Sequence, residues 1–365
     1  MKKLLSIALV LCMVLSLGAF TAFAEDDVAV AMITDYGDIT DQSFNQTTYE
    51  ACKAYCDENG LDFQYYKPAS DSDEDRASSI EKAIDDGFNV IVMPGYAFGK
   101  AIQETVPDNE DVTFIALDVS EGDIGDLAED VPANLYCAVY QEELCGYMAG
   151  YAAVKLGYTK LGYLGGMAVP AVVRYGYGFV QGANAAAVEL DKVNDVSVKY
   201  VYGNQFFGDA DITAYMDTWY ADGTEVVFAC GGGIFTSAAE AAQKVGGKVI
   251  GVDVDQAAKI DGDYGEGMTV TSAMKGLAAT VKAQLAAVVD GAFEGGKVDN
   301  LGLVSDVPAE NYVQIAESTQ FGEGFTEDDY AALVAAMHAG DVEVSNDIEN
   351  APEVSIKVDY QGNIK

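Results

Sequence analysis

Residues 28–58, VAVAMITDYGDITDQSFNQTTYEACKAYCDE, decide the fold class of this chain. The run 28–34 is apolar and contains Val and Ile, which favours a short buried strand. A polar loop follows, and residues 42–58 then carry small and apolar side chains at helical spacing. A strand joined by a polar loop to a longer helix begins a βαβ unit, and such units build parallel sheets.

The same alternation continues along most of the chain and predicts an α/β protein with parallel sheets covered by helices on both faces. Strands are predicted at 28–34, 63–66, 90–93, 112–117, 161–164, 197–201, 226–230, 248–252 and 268–271. Helices are predicted at 42–58, 74–86, 141–156, 172–189, 210–222, 235–245 and 273–290. About nine strands are too many for one mononucleotide-type unit and suit two Rossmann-like lobes. The acidic tail at 341–365 is expected to add an edge strand or a strap.

The two expected lobes are discontinuous in sequence. We predict that 28–140 and 253–295 form the N-terminal lobe, and that 141–252 and 296–365 form the C-terminal lobe. The acidic, aperiodic stretch 118–134 is expected to approach a crossing between them. Lobes joined by several crossings form a hinge, and a ligand site is expected between them at the carboxyl ends of strands.

The first 24 residues have the features of a secretory signal peptide. Lys2 and Lys3 precede an apolar run at 4–20, and AFA at 22–24 gives the small-x-small pattern that signal peptidases cleave. The apolar run is short for a membrane span. We therefore expect a protein that works outside the cytoplasm, either secreted, periplasmic or at the cell surface.

The composition excludes several classes of function. The chain carries 59 acidic residues against 20 basic ones, with a formal net charge of −39 at pH 7. A field of this sign repels nucleic acid and anionic membrane surfaces, so neither is an expected partner. His338 is the only histidine, and the cysteines lack CxxC spacing. These features leave little for a zinc site or a Ser-His-Asp triad, so we expect no metal, no cofactor and no enzymatic activity.

The loop after the first strand places polar and aromatic side chains at the expected cleft. Asp41 can cap the following helix, which leaves the first N–H groups of that helix and Asn45 pointing toward the cleft. Asp35 closes the strand and can offer a carboxylate to a diol. Phe44 lies in the first helical turn, where its ring can lie against a flat ligand or pack into the lobe as a helix-entry staple.

A second aromatic pair lies in the other half of the chain, in the loop YGNQFFGD at 202–209. Adjacent Phe206 and Phe207 cannot both face one core, so we expect one ring to project into the cleft. Two rings from opposite lobes would clamp a heterocycle. The glycines at 231–233 end a strand and open a helix, which lets backbone N–H groups approach a ligand closely.

Two further strand ends supply a carboxylate and a cation. Asp253 follows the predicted strand 248–252, and Lys275 follows the predicted strand 268–271. Together they provide an acceptor and a donor for vicinal hydroxyls without making the pocket strongly cationic. The spacing of Lys275 fits a solvated surface lysine equally well.

Taken together, these motifs resemble the basic membrane protein (BMP) family, the nucleoside-binding proteins of bacterial ABC transport systems. The resemblance covers nearly the whole chain after the leader, and its most specific parts are TDYGDITDQSFNQ at 34–46, EELCGYMAGY at 142–151, GGMAVPAVVRYGYGFVQG at 165–182, and GVDVDQ with TSAMK within 251–275. It implies a type I periplasmic-binding-protein fold with three crossings. It also implies an ABC permease as partner, and we expect the binding protein itself to be a monomer.

The resemblance further implies how a purine nucleoside is held. The base is stacked between two phenylalanines, here Phe44 and Phe207 with Phe206 as the alternative, and the ribose is bound by carboxylates and a lysine. The remaining implied contacts are Asp35, Asn45, the backbone near Gly232, Asp253 and Lys275.

A sugar or a furanose signal is the alternative ligand, captured for a transporter or a sensor. Sugar sites also combine aromatic rings with Asp, Asn and Arg, so the fold class does not distinguish the two. Arg174 is the candidate for such a contact, or it braces its own helix. Family members are usually lipoproteins, whereas Cys12 lies inside the apolar run and AFA at 22–24 indicates ordinary cleavage.

Overall fold

A computed structural model describes residues 28–364 and contains two sheets, each covered by helices. The predicted signal peptide at 1–24 lies outside the described residues. Across 28–364, no helix combines the length and the apolar character that a membrane span requires.

The first lobe is built on a six-stranded parallel sheet. Its strands are β1 (Ala29–Ile33), β2 (Asp62–Tyr66), β3 (Val90–Pro94), β4 (Thr113–Leu117), β5 (Leu135–Tyr140) and β11 (Lys297–Leu301), in the order β2-β1-β3-β4-β5-β11. Its helices are α1 (Phe44–Asn59), α2 (Asp73–Asp85), α3 (Gly99–Thr105), α4 (Glu121–Ile124) and α10 (Leu277–Val289). Buried side chains of α1 and α10 cover one face of the sheet, and those of α2, α3 and α4 cover the other.

The second lobe is built on a seven-stranded sheet. Its strands are β6 (Lys160–Gly165), β7 (Ser197–Tyr202), β8 (Val226–Cys230), β9 (Lys248–Asp253), β10 (Thr269–Lys275), β12 (Val313–Ile315) and β13 (Lys357–Asn363), in the order β13-β7-β6-β8-β9-β10-β12. Only β12 is antiparallel to its neighbour within this sheet of the described chain. Its helices are α5 (Glu142–Lys155), α6 (Pro170–Glu189), α7 (Ala210–Ala221), α8 (Phe235–Gln243), α9 (Ala257–Tyr264) and α11 (Glu327–His338). Short 3-10 helices occur at Tyr96–Phe98, Gly125–Glu129 and Pro308–Glu310.

Both sheets share one topology, which determines where a ligand can bind. The chain reverses direction across each sheet between the first and third strands, β1 and β3 in one lobe and β6 and β8 in the other. Loops that leave the carboxyl ends of strands at such a switch point leave a crevice between them. The predicted α/β alternation is confirmed, although β5, β11 and β12 were not among the nine predicted strands, and β13 is the expected edge strand in the tail.

The predicted division of the lobes is wrong for two segments. Residues 253–275 were assigned to the first lobe, but α9 packs on the second sheet and β10 pairs with β9 in that sheet, where Met274 lies beside Asp253. Residues 297–301 were assigned to the second lobe, but β11 pairs with β5 in the first sheet. A strand was predicted at 268–271 but none at 297–301, and the sheet that each of these strands joins depends on hydrogen-bond partners far away in the sequence.

The crossings also differ from their predicted positions. The stretch 118–134 does not lead out of the first lobe, because the chain returns to the first sheet as β5. Within the described residues, the chain passes between the sheets after β5, after β10 and after β11, which gives three crossings. The first of these agrees with the predicted boundary at residue 140.

The second lobe depends on a close contact between α5 and α6. A Cβ atom at Gly146 or Gly150 would overlap backbone carbonyl oxygens of α6, and one at Gly178 or Gly182 would overlap carbonyl oxygens of α5. The four glycines therefore let the two helix backbones touch. Close-packed interiors do not yield easily to added volume, so this contact fixes the helices against one another.

We expect Gly182→Ala to lower the free energy of unfolding by about 2–3 kcal/mol, because the new methyl group meets the Tyr147 carbonyl oxygen rather than a flexible side chain. Denaturant titration followed by circular dichroism measures this loss. The matched control is Gly262→Ala in α9, where nothing lies within 4 Å of the added carbon. That variant should have the same free energy of unfolding as the wild type or a slightly higher one, since Ala has a higher helix propensity than Gly. Equal losses in both variants would contradict the tight helix contact.

Candidate functional site

A cavity of about 930 Å³ lies between the two lobes, at the carboxyl ends of their strands. Its lining comes from the loop after β1, from the ends of β4, β8 and β9, and from the start of α6. The seven residues predicted to contact a ligand all line it: Asp35, Phe44, Asn45, Phe207, Gly232, Asp253 and Lys275. The topology thus brings together residues that are more than 200 positions apart in the chain.

Asp41 organises the loop between β1 and α1. Its carboxylate accepts the backbone N–H groups of Ser43, Asn45 and Gln46 at 3.0, 2.8 and 3.1 Å. Asn45 also donates its side-chain amide to Asp41 at 3.0 Å. The predicted capping by Asp41 is confirmed, although the helix begins at Phe44 rather than at residue 42.

Asp35 and Asn45 bring buried polar atoms to the cavity. Asp35 Oδ1 accepts the backbone N–H groups of Tyr36 and Gly37 at 2.6 and 2.7 Å. Burial raises the pKa of Asp35, and these two hydrogen bonds oppose that rise. Asn45 is 4% exposed, and its Oδ1 has no hydrogen-bond partner within residues 28–364. A buried acceptor without a partner is costly unless a ligand supplies the donor.

Lys275 is the last residue of β10 and sits at the centre of a group of carboxylates that we call the Lys275 cluster. Its Nζ forms an ion pair with Asp118 and lies 3.3 Å from Glu142 and 3.8 Å from Asp253. Burial alone would lower the pKa of Lys275, but the three carboxylates raise it well above its ordinary value. The Nζ also lies 5.0 Å from the centre of the Phe44 ring.

Two members of the Lys275 cluster, Asp118 and Glu142, were not predicted from the sequence. Asp118 directly follows β4, so the rule that identified Asp35 after β1 also applies to it, but it was included in the predicted loop 118–134. Burial raises the pKa of Asp118 to about 6, with Lys275 opposing the rise and Glu142 adding to it. Glu142 opens α5, is fully buried, and gave no signal beyond its place in the EELCG motif.

Arg174 is held by Glu142 rather than free to meet a ligand. Its Nε donates to Glu142 Oε2 at 2.6 Å, while Glu142 Oε1 faces Lys275 Nζ. Arg174 therefore does not brace its own helix, as the alternative had it, but joins α6 to α5, and it also lines the cavity. Within residues 28–364, no three His, Cys, Asp or Glu side chains are arranged to hold a metal ion.

The two adjacent phenylalanines point to different environments, as expected. Phe206 is partly buried, packs on the core, and lies so close to Gly166 that a Cβ there would overlap its ring. Phe207 is 62% exposed, so it is the projecting ring of the pair. The Gly233 N–H donates to the Phe206 carbonyl at 3.0 Å, so this one of the three glycines is already engaged.

Direct hydrogen bonds join the lobes beside the cavity. Ser43 Oγ, at the start of α1, donates to Asp253 Oδ2 at 2.5 Å. Gln256 Nε2, after β9, donates to the backbone carbonyl of Gln42 at 3.1 Å. Together with the pair formed by Lys275 and Asp118, these contacts link the two lobes.

The chain has clear similarity to proteins of one transport family. The sequence profile of the family described as "Bmp: ABC transporter substrate-binding protein PnrA-like" matches residues 28–320. This protein belongs to that family. The resemblance drawn from the sequence motifs is therefore confirmed.

Individual relatives of this substrate-binding protein share about a quarter of the residues in the aligned stretch. The "ABC transporter nucleoside-binding protein BmpA" of Lactococcus lactis is 27% identical over 243 residues, 63% of this chain and 65% of that protein, so this chain spans less than two thirds of that relative. "Basic membrane protein A" of Borreliella burgdorferi is 27% identical over 260 residues, 70% of this chain and 72% of that protein.

Solved structures support the fold of this substrate-binding protein. An ABC transporter solute-binding protein from Conexibacter woesei superposes with a TM-score of 0.67 at 23% identity, covering 87% of this chain and 99% of that one. At this identity the likeness concerns the fold alone. The predicted type I periplasmic-binding-protein fold is confirmed.

Glu143, beside the Lys275 cluster, has a carboxyl group that is buried and incompletely hydrogen-bonded. It is 4% exposed, and its Oε2 lies 4.0 Å from Arg174 Nε without a hydrogen bond among the described residues. Burial raises the pKa of Glu143 from 4.5 to about 7. Between pH 4.5 and about pH 7, the folded state therefore keeps a proton on Glu143 that the unfolded state has lost. The free energy of unfolding consequently falls as the pH rises through this range.

We expect Glu143→Gln to remove this pH dependence and to stabilise the protein by roughly 2–3 kcal/mol at about pH 8, with little change at about pH 5. Urea unfolding at the two pH values measures the difference. Glu58→Gln, at an exposed site near the end of α1, serves as the control and should alter neither value. A gain that is the same at both pH values would contradict the assignment of this titration to Glu143.

Proposed function

We propose that this ABC substrate-binding protein captures a purine nucleoside between its lobes and delivers it unchanged to the permease of an importer, outside the cytoplasm. The observation that carries the proposal is that Phe44 and Phe207, from separate lobes, line the same cavity as the Lys275 cluster. The name of the Lactococcus lactis relative, a nucleoside-binding protein, supports it. In this proposal the protein acts as a monomer and needs neither a metal nor a cofactor.

The purine base is assigned to the space between Phe44 and Phe207. Stacking on one aromatic ring contributes roughly 1–3 kcal/mol per base, so two rings supply a large part of the affinity. Lys275 Nζ approaches the Phe44 ring at 5.0 Å, and the free face of that ring is assigned to the base. Phe207 is the better candidate for the second ring because it is exposed, whereas Phe206 is engaged in packing.

The ribose hydroxyls are assigned to Asp35, Asp253 and Lys275. Asp253 is held in place by Ser43 Oγ at 2.5 Å and by the Tyr175 hydroxyl at 3.3 Å, so its carboxylate is oriented before a ligand arrives. Preorganised acceptors favour binding because less ordering is needed when the ligand enters.

Two further groups complete the proposed site. The unpartnered Oδ1 of Asn45 can accept an N–H or O–H group of the nucleoside. The backbone at Gly232 has φ 53°, a conformation that favours glycine and brings the main chain close to the cavity. A cavity of about 930 Å³ is of the size that small-molecule sites occupy.

The direct test of the proposal is whether guanosine, inosine and adenosine bind to the purified protein. Thermal-shift assays and titration calorimetry measure this binding. A ligand that binds only the folded state raises the unfolding temperature by mass action. We expect stabilisation by the nucleosides and much weaker effects from ribose or from free bases, because each fragment uses only part of the site. Hydrolysis of guanosine to its base during the incubation would contradict delivery of an unchanged ligand.

Sugars are the informative second set of ligands in the same screen. Glucose, galactose and arabinose present hydroxyl groups to Asp and Lys side chains and apolar faces to aromatic rings, so they test the alternative ligand class. Stabilisation by a sugar, with none by the nucleosides, would keep the substrate-binding role and overturn the purine assignment.

We expect Phe207→Ala to weaken guanosine binding by roughly 10- to 100-fold, because one stacking partner is lost. Thermal stability should stay close to wild type, since the ring is 62% exposed. Phe206→Ala is the matched control and should lower the unfolding temperature instead, because its ring packs on Gly166. If Phe206→Ala weakens binding and Phe207→Ala does not, then Phe206 is the stacking ring.

A further inference from the structure

The segment between α11 and β13 reaches the ligand cavity. The chain ends α11 at His338 and returns to the second sheet at Lys357, and on the way Ile348 lines the cavity between the lobes. This segment, residues 339–356, lies beyond the stretch 28–320 that the family profile matches. Here we call it the strap.

Hydrogen bonds fix the strap to α6 on both sides of Ile348. The side chain of Gln181 bonds both backbone polar groups of Ser345, with its Nε2 donating to the carbonyl and its Oε1 accepting the N–H, each at 2.9 Å. Asn184 Oδ1 accepts the N–H of Ser355 at 2.8 Å. Two polar side chains on one helix therefore hold the strap before and after the residue that meets the cavity.

The turn around Ile348 sets the direction of its side chain. Asp347 Oδ1 accepts the backbone N–H groups of Glu349 and Asn350 at 2.8 and 3.1 Å, which closes a local turn. Ile348 is the one partly buried residue among 345–350, and its neighbours on both sides are exposed. Between residues 345 and 350 the strap thus turns one apolar side chain inward, while Val342, Val344 and Val354 pack against the core of the second lobe.

The lining of the cavity includes apolar residues as well as the charged Lys275 cluster. The residues that lead into α6, 169–172, are Val, Pro, Ala and Val, and all four line the same cavity. The cations that line the cavity are already paired, Lys67 with Asp38 at 2.9 Å and Lys259 with Asp263 at 2.5 Å. With apolar residues in its lining and its lysines paired with carboxylates, the cavity suits an uncharged ligand better than a phosphate.

We propose that the strap completes the ligand cavity and that Ile348 is a specificity-determining residue, contacting an uncharged group of the bound solute. The inference rests on the proposed function for the identity of that solute, a nucleoside rather than a nucleotide. Gln181 is a positioning residue in this arrangement, because it does not line the cavity and acts through the strap.

The test compares three variants of the full protein by calorimetry and stopped-flow binding of guanosine. Ile348→Ala should weaken binding about 5- to 10-fold, mainly through faster dissociation, because apolar contact with the ligand is lost. Gln181→Ala should weaken it by a similar factor, since the strap is then no longer held in place. Asn346→Ala, at an exposed neighbouring position that does not line the cavity, is the matched control and should bind as wild type does.

The outcomes separate the two proposals. Unchanged guanosine affinity in both Ile348→Ala and Gln181→Ala, with normal binding by the wild type, overturns the role of the strap and leaves the proposed function standing. Equal weakening in all three variants also overturns it, because the control would then share the effect. Absence of nucleoside binding by the wild type overturns the proposed function and this inference with it.

Discussion

The arrangement of the two lobes depends on one buried ammonium group, Lys275 Nζ. A charge taken out of water is tolerated only when opposite charges and hydrogen bonds replace the lost hydration. Asp118 comes from the first lobe, Glu142 from the first crossing, and Asp253 from the same lobe as the lysine. One atom therefore contributes both to the contact between the lobes and to the charge balance of the cavity, and removing it would leave the largely buried Asp118 carboxylate without the cation that faces it.

The sequence allowed prediction of the parts of the site that follow from local pattern. Asp35, Asp253 and Lys275 were identified because each comes at or just after a strand, and Phe44 because it opens a helix. Asp118 obeys the same rule, yet the acidic stretch after it concealed the end of β4. Glu142 could not be identified in this way, because its importance comes from Lys275 and Arg174, and such pairs exist only once distant segments meet.

The same distinction applies to the fold. Most strands and helices were predicted, because they depend on periodicity within about ten residues, but β5, β11, β12 and the short helices α3, α4 and α9 were not. The sheets that β10 and β11 join were not predicted, because hydrogen-bond partners elsewhere in the chain decide them. The glycines of α5 and α6 are a related case. They lie in motifs that identified the family, but the structure gives them a packing role, since side chains there would collide with the facing backbone.

The position of β11 has a consequence for the order in which the protein forms. The first sheet has its outer strand at Lys297–Leu301, which comes in the chain after the five central strands of the second sheet. In chains with consecutive domains, one domain usually folds completely before the next is synthesised. This protein cannot fold in that order, because the first sheet is completed only after most of the second has been synthesised. Neither half can mature alone during synthesis, and the two halves reach their final form together. The cavity between them then exists only once both halves are complete.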